Sequence, residues 1–176
     1  MSSHIRLRPT LFDKLVYGSE IASLSSEDDL PTVSREEFRN FAASNVERFT
    51  ENSLRASIRR DLAWLLNTMS FESGMDLTDY PEIRTSALNY GVRDFAGRTR
   101  DTTSLREQAR EIRDAIKAFE PRLDPRSLRV HPAPDPLSNG KAIFVIEAEI
   151  AGMPNLAPVR FQTQVDSDTA AVEVTE

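Results

Sequence analysis

Apolar residues recur at helical spacing in two long segments of the chain. The first runs from Ser53 to Thr68 and the second from Thr103 to Phe119, with Thr103 at the position of an N-cap. Each segment places its apolar residues on one face, so both are predicted to be helices that bury a stripe in the core. The stripes are Leu54, Ile58, Leu62, Leu65 and Leu66, and then Leu105, Ala109, Ile112, Ala115, Ile116 and Phe119.

Shorter helical signals lie outside these two segments. Thr10 is suited to cap a short helix, and the sequence from Ser34 to Glu37 has the form of a capping box. Pro81 favours the first turn of another short helix. Gly91 can close that piece, because glycine adopts a left-handed backbone conformation without steric strain.

After Arg122 the apolar period changes from about 3.6 to about 2, which is the period of a β-strand. Four strands are predicted: Ser127 to His131, Ala142 to Ala151, Val159 to Val165, and Ala170 to Val174. Prolines and turn residues mark their connections, at Pro132, Pro134, Pro136, Asn139-Gly140 and Asp166 to Asp168. Helices followed by an antiparallel meander predict an α+β fold, with the helices packed on one face of a small antiparallel sheet, the C-terminal β meander.

Composition narrows the class of protein. A length of 176 residues predicts a single domain over residues 1–176, in which residues 1–6 and 18–32 are expected to be flexible. A net charge of −6 argues against nucleic acid as a partner. The chain contains no apolar run of the roughly 18 residues that a membrane span needs, so no direct membrane insertion is expected. Without an apolar segment near the N-terminus, and without cysteine, a cytoplasmic location is predicted.

No motif for catalysis, cofactor binding or metal binding stands out. The histidines, His4 and His131, have no visible partner at catalytic or metal-ligand spacing. We therefore predict no catalytic residues, no metal and no cofactor. One enzymatic alternative stays open, because a glycosidase needs only two carboxylates held across a cleft.

The segment from Phe119 to Leu123 forms the junction between the last helix and the sheet. Pro121 cannot continue a helix, so Glu120 and Arg122 are predicted to lie at a sharp corner. The two charges could pair with each other as a structural latch. Alternatively, the guanidinium could bind a partner's carboxylate or carbonyl groups in a bidentate manner. Residue chemistry alone leaves both interpretations open.

The last predicted strand offers a second candidate interaction surface. Unless it is covered, Thr169 to Thr175 or its neighbour forms a sheet edge with unpaired backbone groups. The segment carries Glu173 but no lysine or proline that would block pairing. Another chain could add a strand there, although a short, solvated edge is an equally valid interpretation.

Three segments together resemble the TssE family, whose members are baseplate subunits of the bacterial type VI secretion system. The helix Ser57 to Thr68 resembles the family's S-V-x-R-D-L-x-x-L-L-N-T segment, and Ser86 to Gly91 resembles its S-x-L-N-Y-G turn. Glu120-Pro121-Arg122 matches its Glu-Pro-Arg motif, in the same order and at similar spacing. Arg8 to Leu15 is similar to the family's opening, so the resemblance covers roughly Arg8 to Val174.

The resemblance implies a non-enzymatic structural subunit, despite an old lysozyme label on the family. The alternative from another class is a lysozyme-like glycosidase that cleaves peptidoglycan. The resemblance implies that Glu120, Pro121 and Arg122 bind the baseplate wedge proteins, which are TssF-like and TssG-like in the secretion system. It also implies that the β edge pairs strands with contractile sheath subunits and starts sheath assembly. The equivalent subunit of a phage tail or tail-like particle fits the same resemblance.

Two departures from the family pattern affect what can be transferred. Met69 follows Asn67-Thr68 where many members place arginine, so a contact made by that arginine does not carry over. The segment from Gly18 to Thr50 has no clear match in the family.

Overall fold

The computed structural model describes residues 10, 13, 50–95, 97–98, 101–138, 141–166 and 169–176. These residues form two α-helices and a four-stranded sheet, and this α+β arrangement confirms the predicted fold class. The helices are α1 (Glu51–Leu66) and α2 (Thr102–Phe119), and the strands are β1 (Arg129–Ser138), β2 (Lys141–Ala148), β3 (Val159–Asp166) and β4 (Val172–Thr175). Short 3₁₀ helices lie at Phe71–Ser73, Pro81–Thr85 and Ala87–Asn89.

The chain divides into two compact units, Met1–Ser57 and Ile58–Glu176. In the first unit, Thr10 Oγ1 accepts a 3.1 Å hydrogen bond from the Asp13 backbone N–H, which is the capping predicted for Thr10. The buried Asp13 carboxylate also accepts a 2.7 Å bond from the Ser57 hydroxyl. The Ser34 capping box and the predicted flexible ranges, 1–6 and 18–32, lie outside the described residues. The single-domain organisation stays a prediction.

The two apolar stripes predicted from periodicity face the core. All five stripe residues of α1 are buried, and in α2 Leu105, Ala109, Ile112 and Ile116 are buried while Ala115 and Phe119 are half-buried. The predicted N-cap of α2 was wrong by two residues. Asp101, not Thr103, is the N-cap, since its carboxylate accepts bonds of 2.9 Å from the backbone N–H groups of Thr103 and Ser104.

The sheet is an antiparallel meander in the order β1-β2-β3-β4. β3 alternates buried and exposed residues as predicted, but the interior strand β2 buries Ala142 through Ile146 on both faces. β2 ends at Ala148, so the predicted extension to Ala151 was wrong. The chain turns there, and Ile150 instead forms an isolated bridge with Leu123.

β1 contains a second correction, because it runs directly through the proline-rich segment that was predicted to be a connection. A strand at the edge of a sheet needs hydrogen-bond donors on one side only, so it tolerates proline where an interior strand would not. The pairing with β2 is interrupted by an irregularity between Pro132 and Leu137. The last strand also begins later than predicted, at Val172, because Ala170 has a positive φ of 57° and belongs to the preceding turn.

Contacts with the sheet occur at both of its edges, β1 and β4. α2 lies against β1. The residue that follows α1, Asn67, is hydrogen-bonded to Val172 at the start of β4. The corner that follows α2 leads toward β1 and carries the candidate site.

Candidate functional site

The chain passes from helix to strand-like pairing within a few residues after α2. Glu120 N–H makes the last helical bond, 2.9 Å to the Ile116 carbonyl, and the exposed Pro121 follows. The Arg122 carbonyl then accepts a 2.7 Å bond from Ala151 N–H. Backbone hydrogen bonds thus hold both sides of Pro121, and the sharp corner predicted from the sequence is present.

Glu120 and Arg122 pair with each other, and a third residue, Asp61 of α1, joins them. Arg122 Nε donates to Glu120 Oε1 at 2.7 Å, and its Nη2 contacts both Glu120 Oε2 and Asp61 Oδ2. Glu120 Oε1 also accepts from the Arg122 backbone N–H at 3.1 Å. We call Asp61, Glu120 and Arg122 the corner triad. Its ion pairs form the structural latch that the sequence left as one of two possibilities.

The corner triad is poorly accessible to water. The Glu120 side chain is only 5% exposed and that of Arg122 15%. Burial opposes the charged guanidinium, but the hydrogen bonds and negative charges of Glu120 and Asp61 outweigh it and raise the pKa of Arg122. Arg122 therefore stays charged, and its bidentate pairing with Glu120 is of the strong, charge-assisted kind.

A second arginine, Arg60, binds the other carboxylate oxygen of Asp61. Arg60 Nη2 lies 2.7 Å from Asp61 Oδ1, and the Arg60 guanidinium stacks 5.1 Å from the centre of the Trp64 ring. Asp61 is thus held between Arg60 and Arg122. Asp61 lies in the helix motif, but the sequence predicts no role for it, because its partner Arg122 is 61 positions away along the chain.

The structure brings all three family-like segments to this corner. The Tyr90 ring, from the S-x-L-N-Y-G turn, packs edge-on against Phe119 with ring centres 5.4 Å apart. Burial and the nearby charges of Asp61 and Glu120 raise the pKa of the Tyr90 hydroxyl. The helix motif, the turn motif and the Glu-Pro-Arg motif therefore form one cluster.

The turn itself is fixed by Gly91, which has a φ of +126°. A Cβ atom at this position would lie 2.2 Å from the Thr68 carbonyl oxygen, so only glycine fits. The close approach allows Val92 N–H to donate to that same carbonyl at 2.9 Å. Next to it, the buried Asn89 side chain accepts from Glu72 N–H and donates to the Arg84 carbonyl. The predicted closing role of Gly91 is confirmed.

Large apolar side chains lie exposed on the segment that runs from α1 to the turn at Gly91. In the described part of the chain, the exposed ones all fall between residues 64 and 88, and they are Trp64, Met69, Phe71, Met75, Tyr80 and Leu88. We call them the exposed apolar stretch. Leu88 is 74% exposed, although its neighbour Asn89 is buried. Exposed apolar patches are typical of protein interaction sites, so this segment is a candidate for contact with a partner.

The two edges of the sheet differ in chemistry. β1 carries three prolines, which lack the backbone N–H that an added strand would need. β4 carries none, but Asn67 occupies part of it: its side chain accepts from Val172 N–H at 2.9 Å and donates to Val172 C=O at 2.7 Å. The edge predicted at the last strand is therefore present, with one residue already bonded.

A groove of about 370 Å³ lies beside the turn, lined partly by Glu72, Glu111 and Asp114. Each of these carboxylates pairs with an arginine, at 2.8 Å for Arg93 with Glu72 and 2.9 Å for Arg98 with Glu111. Within the described ranges, no three acidic or histidine side chains are grouped closely enough to bind a metal ion.

The comparison with protein families decides the kind of protein. Residues 52–155, more than half of the chain, match the model of the baseplate wedge protein gp25 family. The chain belongs to this family. The family includes TssE, and it contributes structural components of baseplates. Its match covers the corner triad, the turn and β1 to β2, whereas the Gly18 to Thr50 segment lies outside it.

No curated protein matches the chain. Of the helices in the described ranges, none combines the length and the apolar character that crossing a bilayer requires. Whether Glu120, Pro121 and Arg122 touch a partner is not decided by the family match, so their binding role stays a prediction.

Proposed function

We propose that this chain is a non-enzymatic structural subunit of a type VI secretion baseplate. It docks onto TssF-like and TssG-like wedge proteins through the corner, and it starts contractile sheath assembly by pairing strands at β4. Membership of the baseplate wedge protein family supports the structural role. The finer assignment depends mainly on one observation, the convergence of three family-like motifs on a single corner, one of which carries the exposed Leu88.

The corner triad makes the docking site rigid before a partner arrives. Because Arg122 already bonds both Glu120 and Asp61, binding would require little further ordering of these side chains. A partner would then contact the exposed Pro121, the accessible side of Arg122 and apolar residues such as Leu88. In this proposal the charged pair shapes and anchors the corner, and the exposed apolar residues supply most of the buried contact area.

The docking proposal is tested by co-expression pull-down with the TssF-like and TssG-like proteins of the same organism. Leu88→Glu should weaken binding to the captured partner about thirtyfold or more. This corresponds to a loss of roughly 2 kcal/mol of binding free energy, as expected for a residue at the centre of an interface. Because Leu88 is largely exposed, this variant should fold normally, which circular dichroism checks. Asn155→Glu is the matched control, since Asn155 is also exposed and the substitution adds the same charge. Equal capture of both variants would place docking elsewhere on the chain.

Strand pairing with the sheath is supported by the contrast between the two edges. β1 has prolines at three positions, whereas β4 offers backbone donors and acceptors on its outer side. A strand from another chain gains affinity mainly from such backbone hydrogen bonds. Among the edges in the described part of the sheet, β4 is therefore the one suited to strand addition.

Proline substitution at Val174 tests this edge. Val174→Pro removes one backbone N–H that points away from β3, and Val174→Ala retains that N–H while also truncating the side chain. We expect Val174→Pro to abolish co-sedimentation with polymerising sheath subunits and Val174→Ala to preserve it. If both variants seed sheath assembly equally, strand addition at β4 is wrong.

The arrangement of carboxylates does not favour the peptidoglycan-cleaving alternative. Both carboxylates of the corner triad bond the same guanidinium, rather than facing each other across an open cleft. A role in a phage tail or tail-like particle would use the same surfaces. The identity of the wedge proteins that are captured separates it from the secretion system.

A further inference from the structure

The contact between Asn67 and β4 has the form of strand pairing. Asn67 Oδ1 accepts from Val172 N–H at 2.9 Å, and Asn67 Nδ2 donates to Val172 C=O at 2.7 Å. An antiparallel neighbour would make these same two bonds to the backbone of one residue. The amide side chain therefore stands in for one residue of a fifth strand.

The register of the sheet shows which backbone groups of β4 face outward. Asp166 N–H bonds to the Ala171 carbonyl, so these two residues form a hydrogen-bonded pair across the β3–β4 ladder. Successive pairs alternate in an antiparallel ladder, so Val172, paired with Val165, directs its N–H and C=O away from β3. By the same alternation, Val174 is the next residue whose backbone groups face outward. Among the described residues, none bonds those outward groups of Val174.

Asn67 is itself held firmly in position. It follows the last residue of α1, and its Nδ2 also donates to the Ala63 carbonyl at 2.7 Å. With two donors and one acceptor engaged, the orientation of the amide is defined by its partners. The position of Asn67 at the end of α1 therefore determines that, in the described part of the chain, the unoccupied backbone groups of β4 begin at Val174.

We propose that Asn67 sets the register of strand addition at β4. By occupying the outward groups of Val172, it makes Val174 the first position at which an added strand can bond. An incoming strand that extended further toward the turn at Ala170 would have to displace the amide. This inference rests on the proposed function, because the added strand is that of a sheath subunit.

Amide hydrogen exchange on the full-length chain, without any partner, tests whether Asn67 occupies the outward backbone groups of Val172. In the wild type, Val172 N–H should be protected and Val174 N–H should exchange faster. Asn67→Ala should speed exchange at Val172 about two- to tenfold, as expected for the loss of one hydrogen bond of ordinary strength.

Asn155→Ala serves as the control, because Asn155 is exposed and its side chain bonds no described residue. It should leave exchange at Val172 unchanged. Rapid exchange of Val172 in the wild type, equal to that of Val174, would overturn the inference whether or not the sheath binds.

The claim that Asn67 sets the register of the added strand is tested by repeating the exchange measurement with the sheath subunit of the same organism bound. In the wild type, binding should newly protect Val174 but add nothing at Val172. In Asn67→Ala, binding should restore protection to Val172 as well, because the added strand can now extend by one bonded pair. Identical footprints on the two proteins would overturn the register role. A failure of the sheath subunit to protect β4 at all would instead overturn the proposed function, and the register role with it.

Discussion

Removing the guanidinium of the corner triad should strongly destabilise the fold. Arg122→Met keeps most of the length of the side chain but leaves the Glu120 carboxylate, only 5% exposed, without its cation. Breaking a buried ion pair on one side typically costs about 3–5 kcal/mol. Asp61 keeps its bond to Arg60, so we expect the lower end of this range, about 3 kcal/mol. For a chain of this length that corresponds to a melting temperature lower by about 6–12 °C.

Urea denaturation at neutral pH, followed by circular dichroism, measures this cost. Arg113→Met is the matched control, because Arg113 pairs with Asp114 at 2.9 Å on the surface, where both side chains are more than a third exposed. Such a pair should contribute less than about 1 kcal/mol. In the double variant Arg122→Met with Glu120→Gln, no buried charge is left unpaired. Its loss in free energy of unfolding should therefore be about 1–3 kcal/mol smaller than the sum of the losses of the two single variants. Equal costs for Arg122→Met and Arg113→Met would refute the argument that the triad is a buried latch.

Three further predictions follow from local geometry. In urea denaturation, Gly91→Ala should lower the free energy of unfolding by more than about 3 kcal/mol, because the new Cβ would meet the Thr68 carbonyl. Gly97→Ala is the control: its φ is also positive but the space around it is open, so the loss should be only about 1–2 kcal/mol. Asp101→Ala should cost about 1 kcal/mol, since it removes the cap of α2, and an unchanged denaturation midpoint would contradict this. The folded state raises the pKa of Tyr90 above 10.0, so at alkaline pH it binds more protons than the unfolded state. The contribution of Tyr90 to the free energy of unfolding should therefore be fully present below pH 10.0 and be lost as the pH rises above it. Tyr90→Phe should remove that loss, and an equally steep decline in this variant would assign the decline to other groups.

Local sequence patterns predicted most of the fold. The two apolar stripes and the alternation in β3 are properties of neighbouring residues, so periodicity alone reveals which face is buried. The part of β1 from Pro132 onward was missed for a physical reason. Proline weakens a strand in the middle of a sheet, and nothing in the local sequence shows that this strand lies at an edge.

The candidate site was only half predictable. Glu120 and Arg122 lie two residues apart, and the proline between them already indicated a corner. The partnership of Arg122 with Asp61, and that of Asn67 with Val172, join residues 61 and 105 positions apart along the chain. Such pairs depend on how the helices pack on the sheet, which no local pattern specifies. The sequence motifs contain Asp61 and Asn67, but they do not predict which distant residues these side chains bond in the fold.

Site-specific cross-linking within the assembled complex tests the central claim most directly. The chain has no cysteine, so a single cysteine carrying a photo-cross-linker reports one position only. We predict that Leu88→Cys, beside the corner, yields adducts with the TssF-like or TssG-like protein, and that the exposed control Asn155→Cys does not. Adducts from Asn155→Cys alone, or none from Leu88→Cys in a complex that still forms, would contradict docking through the corner.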